Sequence, residues 1–166
     1  MGGTAPVLVL GLGNLLLGDD GVGLRLTEKL AEESNFGDAV EFIDGGTQGL
    51  ALLGCLAERE AVLVLDAVGL GGEPGTVHVL RGPAMEQIRA RRASTAHEGN
   101  ALELFATARV LGLGWNEVAV VGVEPANVRT GIGLSPCIEQ SFEVALAHAR
   151  EVLKEMVQTY VPSHSR

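Results

Sequence analysis

Residues 7–33, "VLVLGLGNLLLGDDGVGLRLTEKLAEE", hold the reading on which the fold turns. The apolar run "VLVLGL" (7–12) has the length and the Val/Leu content of a strand covered on both faces, because a strand with one wet face would alternate apolar and polar residues. A glycine-rich turn follows, and beyond it residues 20–33 place Val22, Leu26 and Leu30 on one helical stripe. A strand, a glycine turn and a helix in that order open a β-α-β unit, whose ligand site forms beyond the carboxyl end of the strand. The turn has the look of a phosphate cradle, yet it carries two adjacent carboxylates, Asp19 and Asp20, where a phosphate would meet negative charge.

The same grammar recurs along the chain. "VEFID" (40–44), "AVLVLD" (61–66), "TVHVLR" (76–81) and "VAVVGV" (118–123) read as four further strands. Helices are predicted over 20–33, 48–58, 97–111, where Ala101, Leu104, Phe105, Ala108 and Leu111 share a helical spacing, and 136–158. The fold class that follows is α/β, a three-layer arrangement with a mostly parallel five-stranded sheet and helices on both faces. "TVHVLR" alternates, and the link before it, "AVGLGGEPG" (67–75), is too short for a crossover helix. The fourth strand is therefore expected at an edge and antiparallel. One domain is expected over residues 1–166, with 1–5 and 160–166 as flexible tails.

Composition narrows the function classes. Hydrophobic residues make up 46% of the 166 residues and aromatic ones only 4%, so the core must be built from Val, Leu and Ala. A formal net charge of −9 repels nucleic acid phosphates and anionic membrane surfaces, and the one basic cluster, "RARR" (89–92), reads as a solvated loop. No apolar run reaches the roughly 18 residues that span a bilayer. Cys55 and Cys137 stand far apart without metal-knuckle spacing, which suits a reducing compartment. A cytoplasmic monomer that binds neither nucleic acid nor membrane is expected.

Several known loops do not fit. The dinucleotide fingerprint requires a third glycine where Leu16 stands, so Gly11 and Gly13 alone are a weak match, even with Asp44 at the place of a ribose-binding acid. "GLSPC" (133–137) lacks the second glycine of a nucleophile elbow, and "HEGNA" (97–101) ends in Ala101 where a zinc helix would need histidine.

What remains is a set of acids at strand ends: Asp19 and Asp20 after the first strand, Asp44 after the second, Asp66 after the third and Glu124 after the fifth. Each has a plainer role to weigh. A carboxylate at the start of the first helix stabilises it by about 0.3–1 kcal/mol, and that role is the favoured one for Asp19. Asp66 is followed by no obvious helix for it to cap, and a partly buried acid needs a partner. In "STAHEGN" (94–100), Thr95 and Glu98 fit a capping box that puts His97 in a first helical turn, where the dipole favours the neutral imidazole a metal requires. His78, His148 and His164 read as structural or solvated. Asp20, Asp66 and His97 together make a mixed oxygen and nitrogen set suited to a borderline divalent ion such as Zn or Ni. An acidic loop of this kind is expected to hold a cation.

With these residues in hand, the chain resembles the nickel-iron hydrogenase maturation endopeptidases. The resemblance runs from Val7 to Met156 through "GLGNLLLGDDGVG", "DGGTQG" (44–49), "LVLDAV" (63–68), "AHEGN" (96–100), "VGVEP" (121–125) and "GIGLSP" (131–136). It implies an enzyme that cuts a short C-terminal extension from the precursor of a hydrogenase large subunit after nickel has entered. It also implies that Asp20, Asp66 and His97 are the metal-binding and catalytic residues. The nickel is then the one carried by the substrate, and Zn or Cd can take its place in the isolated protein. The resemblance assigns no chemistry to "DGGT" or "GLSP", and Asp44 is a candidate for shaping the site. Two other readings stay open: a nucleotide-binding module on the same sheet, and a cysteine hydrolase pairing Cys137 with His97, in which a helix start lowers the thiol pKa.

Overall fold

Every residue of strand β1, Val7–Leu12, is buried, and successive side chains leave the strand on opposite faces. Val7 and Val9 enter one apolar cluster, and Leu8, Leu10 and Leu12 enter another. The continuous Val/Leu run is thus the mark of a strand with a core on each side. The computed structural model of the chain describes residues 3–82, 84 and 101–163. Around β1 it places α1 (Val22–Glu33), β2 (Val40–Gly46), α2 (Leu53–Leu56), β3 (Ala61–Ala67), β4 (Val77–Arg81), α3 (Ala101–Val110), β5 (Glu117–Val123) and α4 (Pro136–Tyr160).

The strands lie in the order β2-β1-β3-β5-β4. β2, β1, β3 and β5 are mutually parallel, and β4 pairs antiparallel with β5 at the edge, as its alternating pattern and short connection predict. On one face, Val22, Leu26 and Leu30 of α1 pack with Ile138, Leu146, Leu153 and Met156 of α4 against central-strand residues such as Leu63 and Val121. On the other, Leu56 of α2 and Leu104 and Phe105 of α3 cover Leu8, Leu10, Val62 and Val64. Each such side chain, fully buried, contributes about 1.5–3 kcal/mol relative to exposure. Trp115 closes the second cluster, its ring edge-to-face with Phe105 at 5.4 Å and its Nε1 donating to the Leu56 carbonyl at 2.7 Å.

Three helices depart from the expected spans. The first α-helix begins at Val22, after a 3-10 turn over Gly18–Gly21 that carries both aspartates. The predicted 48–58 helix is a 3-10 turn, Gly49–Leu52, continued by one α-turn, and Glu58 at φ 60° swings the chain into β3. Leu111 does not belong to the buried stripe of α3: it is 62% exposed and lies beyond Val110. The helix ends there because Gly112 adopts φ +79°, with Gly112 N–H on the Arg109 carbonyl and Leu113 N–H on the Ala108 carbonyl, a glycine C-cap that turns Leu111 outward. The long closing helix continues to Tyr160, and both Tyr160 and Val161 pack against the first cluster. Among the described residues no helix is long and apolar enough to cross a membrane.

Candidate active site at the carboxyl edge of the sheet

The glycines of the opening motif serve packing inside the protein. A Cβ on Gly23 would overlap the Leu65 carbonyl oxygen and lie 2.6 Å from that of Leu12, so the start of α1 rests directly on the ends of β3 and β1. A Cβ on Gly11 would collide with the side chain of Thr27, whose Oγ1 donates to the Gly23 carbonyl at 2.8 Å. Gly13 has φ +131°, a conformation open to glycine, and lies against the carbonyl of Asp20. The Gly11/Gly13 pair that hinted at a dinucleotide thus brings α1 and its preceding turn down onto the strand ends. The 3-10 turn bearing Asp20 contacts β3, whose penultimate residue is Asp66.

Asp20 is half-buried. Burial pushes its carboxyl above the usual carboxylate range, opposed in part by a hydrogen bond from the Asn14 backbone N–H. Asp66 is 4% exposed, and its Oδ2 accepts from Ala101 N–H at 3.4 Å. The acid followed in sequence by no helix to cap therefore faces the first described residue of α3, an element far along the chain. His97, and with it Thr95, Glu98, the "RARR" cluster and His164, lies outside the described residues. Among the described residues no group of three or more His, Cys, Asp or Glu side chains is arranged to hold a metal ion.

Asp19 corrects the sequence expectation most clearly. It makes no helix-capping hydrogen bond. It is 0% exposed, and its carboxylate accepts from Ala126 N–H (2.9 Å), Asn127 N–H (2.8 Å), Ser135 N–H (2.6 Å) and Ser135 Oγ (2.8 Å). Burial alone would raise its pKa, but the bonds from Ser135, Asn127 and Ala126 prevail and hold the carboxyl below its ordinary value. Sequence reasoning missed this contact. The serine of "GLSP", just before a proline at the start of α4, has the signature of an N-cap, yet its hydroxyl is turned to Asp19 while its carbonyl takes the N–H groups of Ile138 and Glu139.

The remaining strand-end acids, Glu124 and Asp44, make contacts of their own. Glu124 is 3% exposed: its Oε1 accepts from Leu70 and Gly72 N–H and pairs with His78 Nε2 at 3.1 Å, fastening the β3–β4 loop. His78 thus has the structural role expected of it, and His148 is exposed on α4. Asp44 is exposed, with Oδ1 accepting from Gly46 N–H at 3.0 Å. The "DGGT" motif is the bulged end of β2, with Thr47 in the turn beyond it: Gly45 is the extra residue where the β1–β2 register shifts, Gly46 has φ +50°, and the Gly46 carbonyl takes Gly13 N–H at 3.0 Å. It buttresses the acidic loop from the β2 side. Cys137 sits in the first turn of α4, partly buried against the first apolar cluster.

Comparison with known proteins agrees with this architecture. Residues 24–152 match the family model described as hydrogenase maturation protease. The hydrogenase 2 maturation protease of Escherichia coli is 34% identical over 157 residues, covering 94% of this chain and 95% of that protein. The hydrogenase expression/formation protein HupD of Rhodobacter capsulatus is 35% identical over 149 residues, covering 89% of this chain and 71% of that protein. Among solved structures, the hydrogenase maturating endopeptidase HybD from E. coli superposes with a TM-score of 0.79 at 34% identity, over 90% of this chain and 92% of that one. The chain belongs to the hydrogenase maturation protease family and is a hydrogenase maturation peptidase.

Proposed function

We propose that the protein removes the C-terminal extension of the precursor of a nickel-iron hydrogenase large subunit once nickel is in place, and that Asp20, Asp66 and His97 close on the nickel the precursor carries. The observation that supports this most is the close seat of α1 on the strand ends at Gly23, which leaves the preceding turn, with Asp20, in contact with β3, the strand that carries the buried Asp66. Ala101, whose N–H faces Asp66 Oδ2, is four residues after His97 in sequence. Two carboxylates and an imidazole form a donor set with room for further ligands, as a metal already held by another protein requires. The ion supplies an anchor for the substrate and polarises the bond to be cut. Asp20 and Asp66 orient the precursor, and one of the two carboxylates takes the proton released as water adds to the scissile carbonyl and returns it to the leaving amine as the C–N bond breaks.

Incubation with a large-subunit precursor in nickel-loaded and nickel-free form tests this directly. The loaded precursor should lose its tail, read as the mass of the released peptide, and the nickel-free form should remain uncut. Equal processing of both forms would overturn metal recognition while leaving the peptidase in place. In the same assay Cys137→Ser should cleave at close to the wild-type rate. A dead Cys137→Ser variant that is still folded would favour thiol chemistry instead.

A further inference from the structure

Two adjacent aspartates, Asp19 and Asp20, sit in one 3-10 turn but face different surroundings. Asp20 is half-buried at the sheet edge, whereas all four donors around Asp19 come from residues 126–135, the connection between β5 and α4. The backbones of the two loops are joined as well: Gly18 N–H donates to the Gly131 carbonyl, Gly131 N–H to the Leu16 carbonyl, and Asp19 N–H to the Asn127 carbonyl, each at 2.9 Å. On its other side, the Asp20 carbonyl is packed against Gly13 so closely that no side chain fits there. The backbone of Asp20 is thus gripped from both directions.

We infer that Asp19 is a positioning residue for the cleavage reaction, fixing the turn that presents Asp20 by clasping the β5–α4 loop through its carboxylate. This rests on the reading that Asp20 acts at the cleavage site. A carboxylate that is 0% exposed, with all its donors supplied by one distant loop, has a single low-energy arrangement, since any displacement leaves a buried charge short of its hydrogen bonds. The residue beside it inherits that arrangement. The clasp therefore converts a glycine-rich loop into a rigid support for one acid, and a shift of about 1 Å at a reacting group is enough to cost on the order of 100-fold in rate.

The test is steady-state cleavage of nickel-loaded precursor by Asp19→Asn and Ser135→Ala, with the folded fraction measured by circular dichroism. Asp19→Asn keeps the shape but turns an amide toward N–H donors, and kcat per folded molecule should fall about 10- to 100-fold with KM changed by less than about threefold. Ser135→Ala removes one hydroxyl donor and leaves the three N–H donors, so kcat should fall about two- to tenfold with the folded fraction unchanged. A purely structural role would reduce the amount of folded protein and leave kcat per folded molecule intact. Wild-type kcat in both folded variants overturns the inference. If Asp19→Asn does not fold, Ser135→Ala decides on the same criterion. Asp20→Ala in the same assay separates the two readings: full activity there overturns the site reading and the inference with it. Loss there, with wild-type kcat in the Asp19 and Ser135 variants, overturns the positioning role alone.

Discussion

Asp66→Asn is expected to yield a folded protein whose cleavage of nickel-loaded precursor falls on the order of 10³-fold or more. The substitution keeps the shape of the side chain, and the asparagine carbonyl can still accept the Ala101 N–H that Asp66 Oδ2 now takes at 3.4 Å. Asparagine and aspartate serve about equally well at a helix start, so stability should change by less than about 1 kcal/mol. What disappears is the negative charge and its affinity for a cation. Asp66→Ala loses both charge and hydrogen bond, and should be less stable than Asp66→Asn by about 1 kcal/mol while no more active. Urea denaturation beside the peptide-release assay separates the two effects. An Asp66→Asn protein that cleaves within about tenfold of wild type would show that Asp66 serves the fold alone.

Gly23→Ala should be the most damaging small substitution. The added methyl would overlap the Leu65 carbonyl oxygen and lie 2.6 Å from the Leu12 carbonyl oxygen, and backbone atoms in the middle of a sheet cannot yield as a side-chain tip can. The helix must lift from the strands, costing roughly 1–3 kcal/mol or more in lost packing, against a gain of about 1 kcal/mol from the better helix propensity of alanine. Lifting α1 also moves the turn that bears Asp20, and cleavage should fall about 100-fold even among folded molecules. Gly54→Ala provides the contrast. Gly54 is in α2 with nothing near the position of a new methyl, so the same change there should be neutral or stabilising by up to about 1 kcal/mol, with cleavage unaltered. Similar midpoints for the two variants in denaturant would contradict the packing argument.

The framework was legible because burial on both faces leaves a strong trace: Val7–Leu12 and Ala61–Leu65 read as unbroken apolar runs, and the edge strand Val77–Arg81 betrayed itself by alternation and a short connection. Asp20 and Asp66 could be picked out because strand ends are read from the same runs. Helix ends were harder, as Leu111 illustrates: it keeps the helical spacing, but Gly112 stops the helix before it, and backbone conformation at one glycine overrides periodicity. Partnerships across the chain were not legible at all. Nothing local distinguishes Asp19 from Asp20, and only the arrival of Ala126, Asn127 and Ser135 makes one a buried anchor and leaves the other half-exposed. Likewise Glu124 has the position of a site residue and is spent on Leu70, Gly72 and His78.

The bond between Asp19 and its donors also sets an order of events during synthesis. The donors follow Asp19 by 107 to 116 residues, so this closure can form only after β3 and β5 have emerged. Contacts of such separation are among the last a chain acquires, because the entropy of bringing the ends together must be met before the contact contributes anything. A nascent chain with its first β-α unit already made would carry Asp20 on an untethered loop. If Asp20 acts in cleavage as proposed, competence to cut another protein would wait until the sheet is nearly whole, and folding intermediates would not act as proteases.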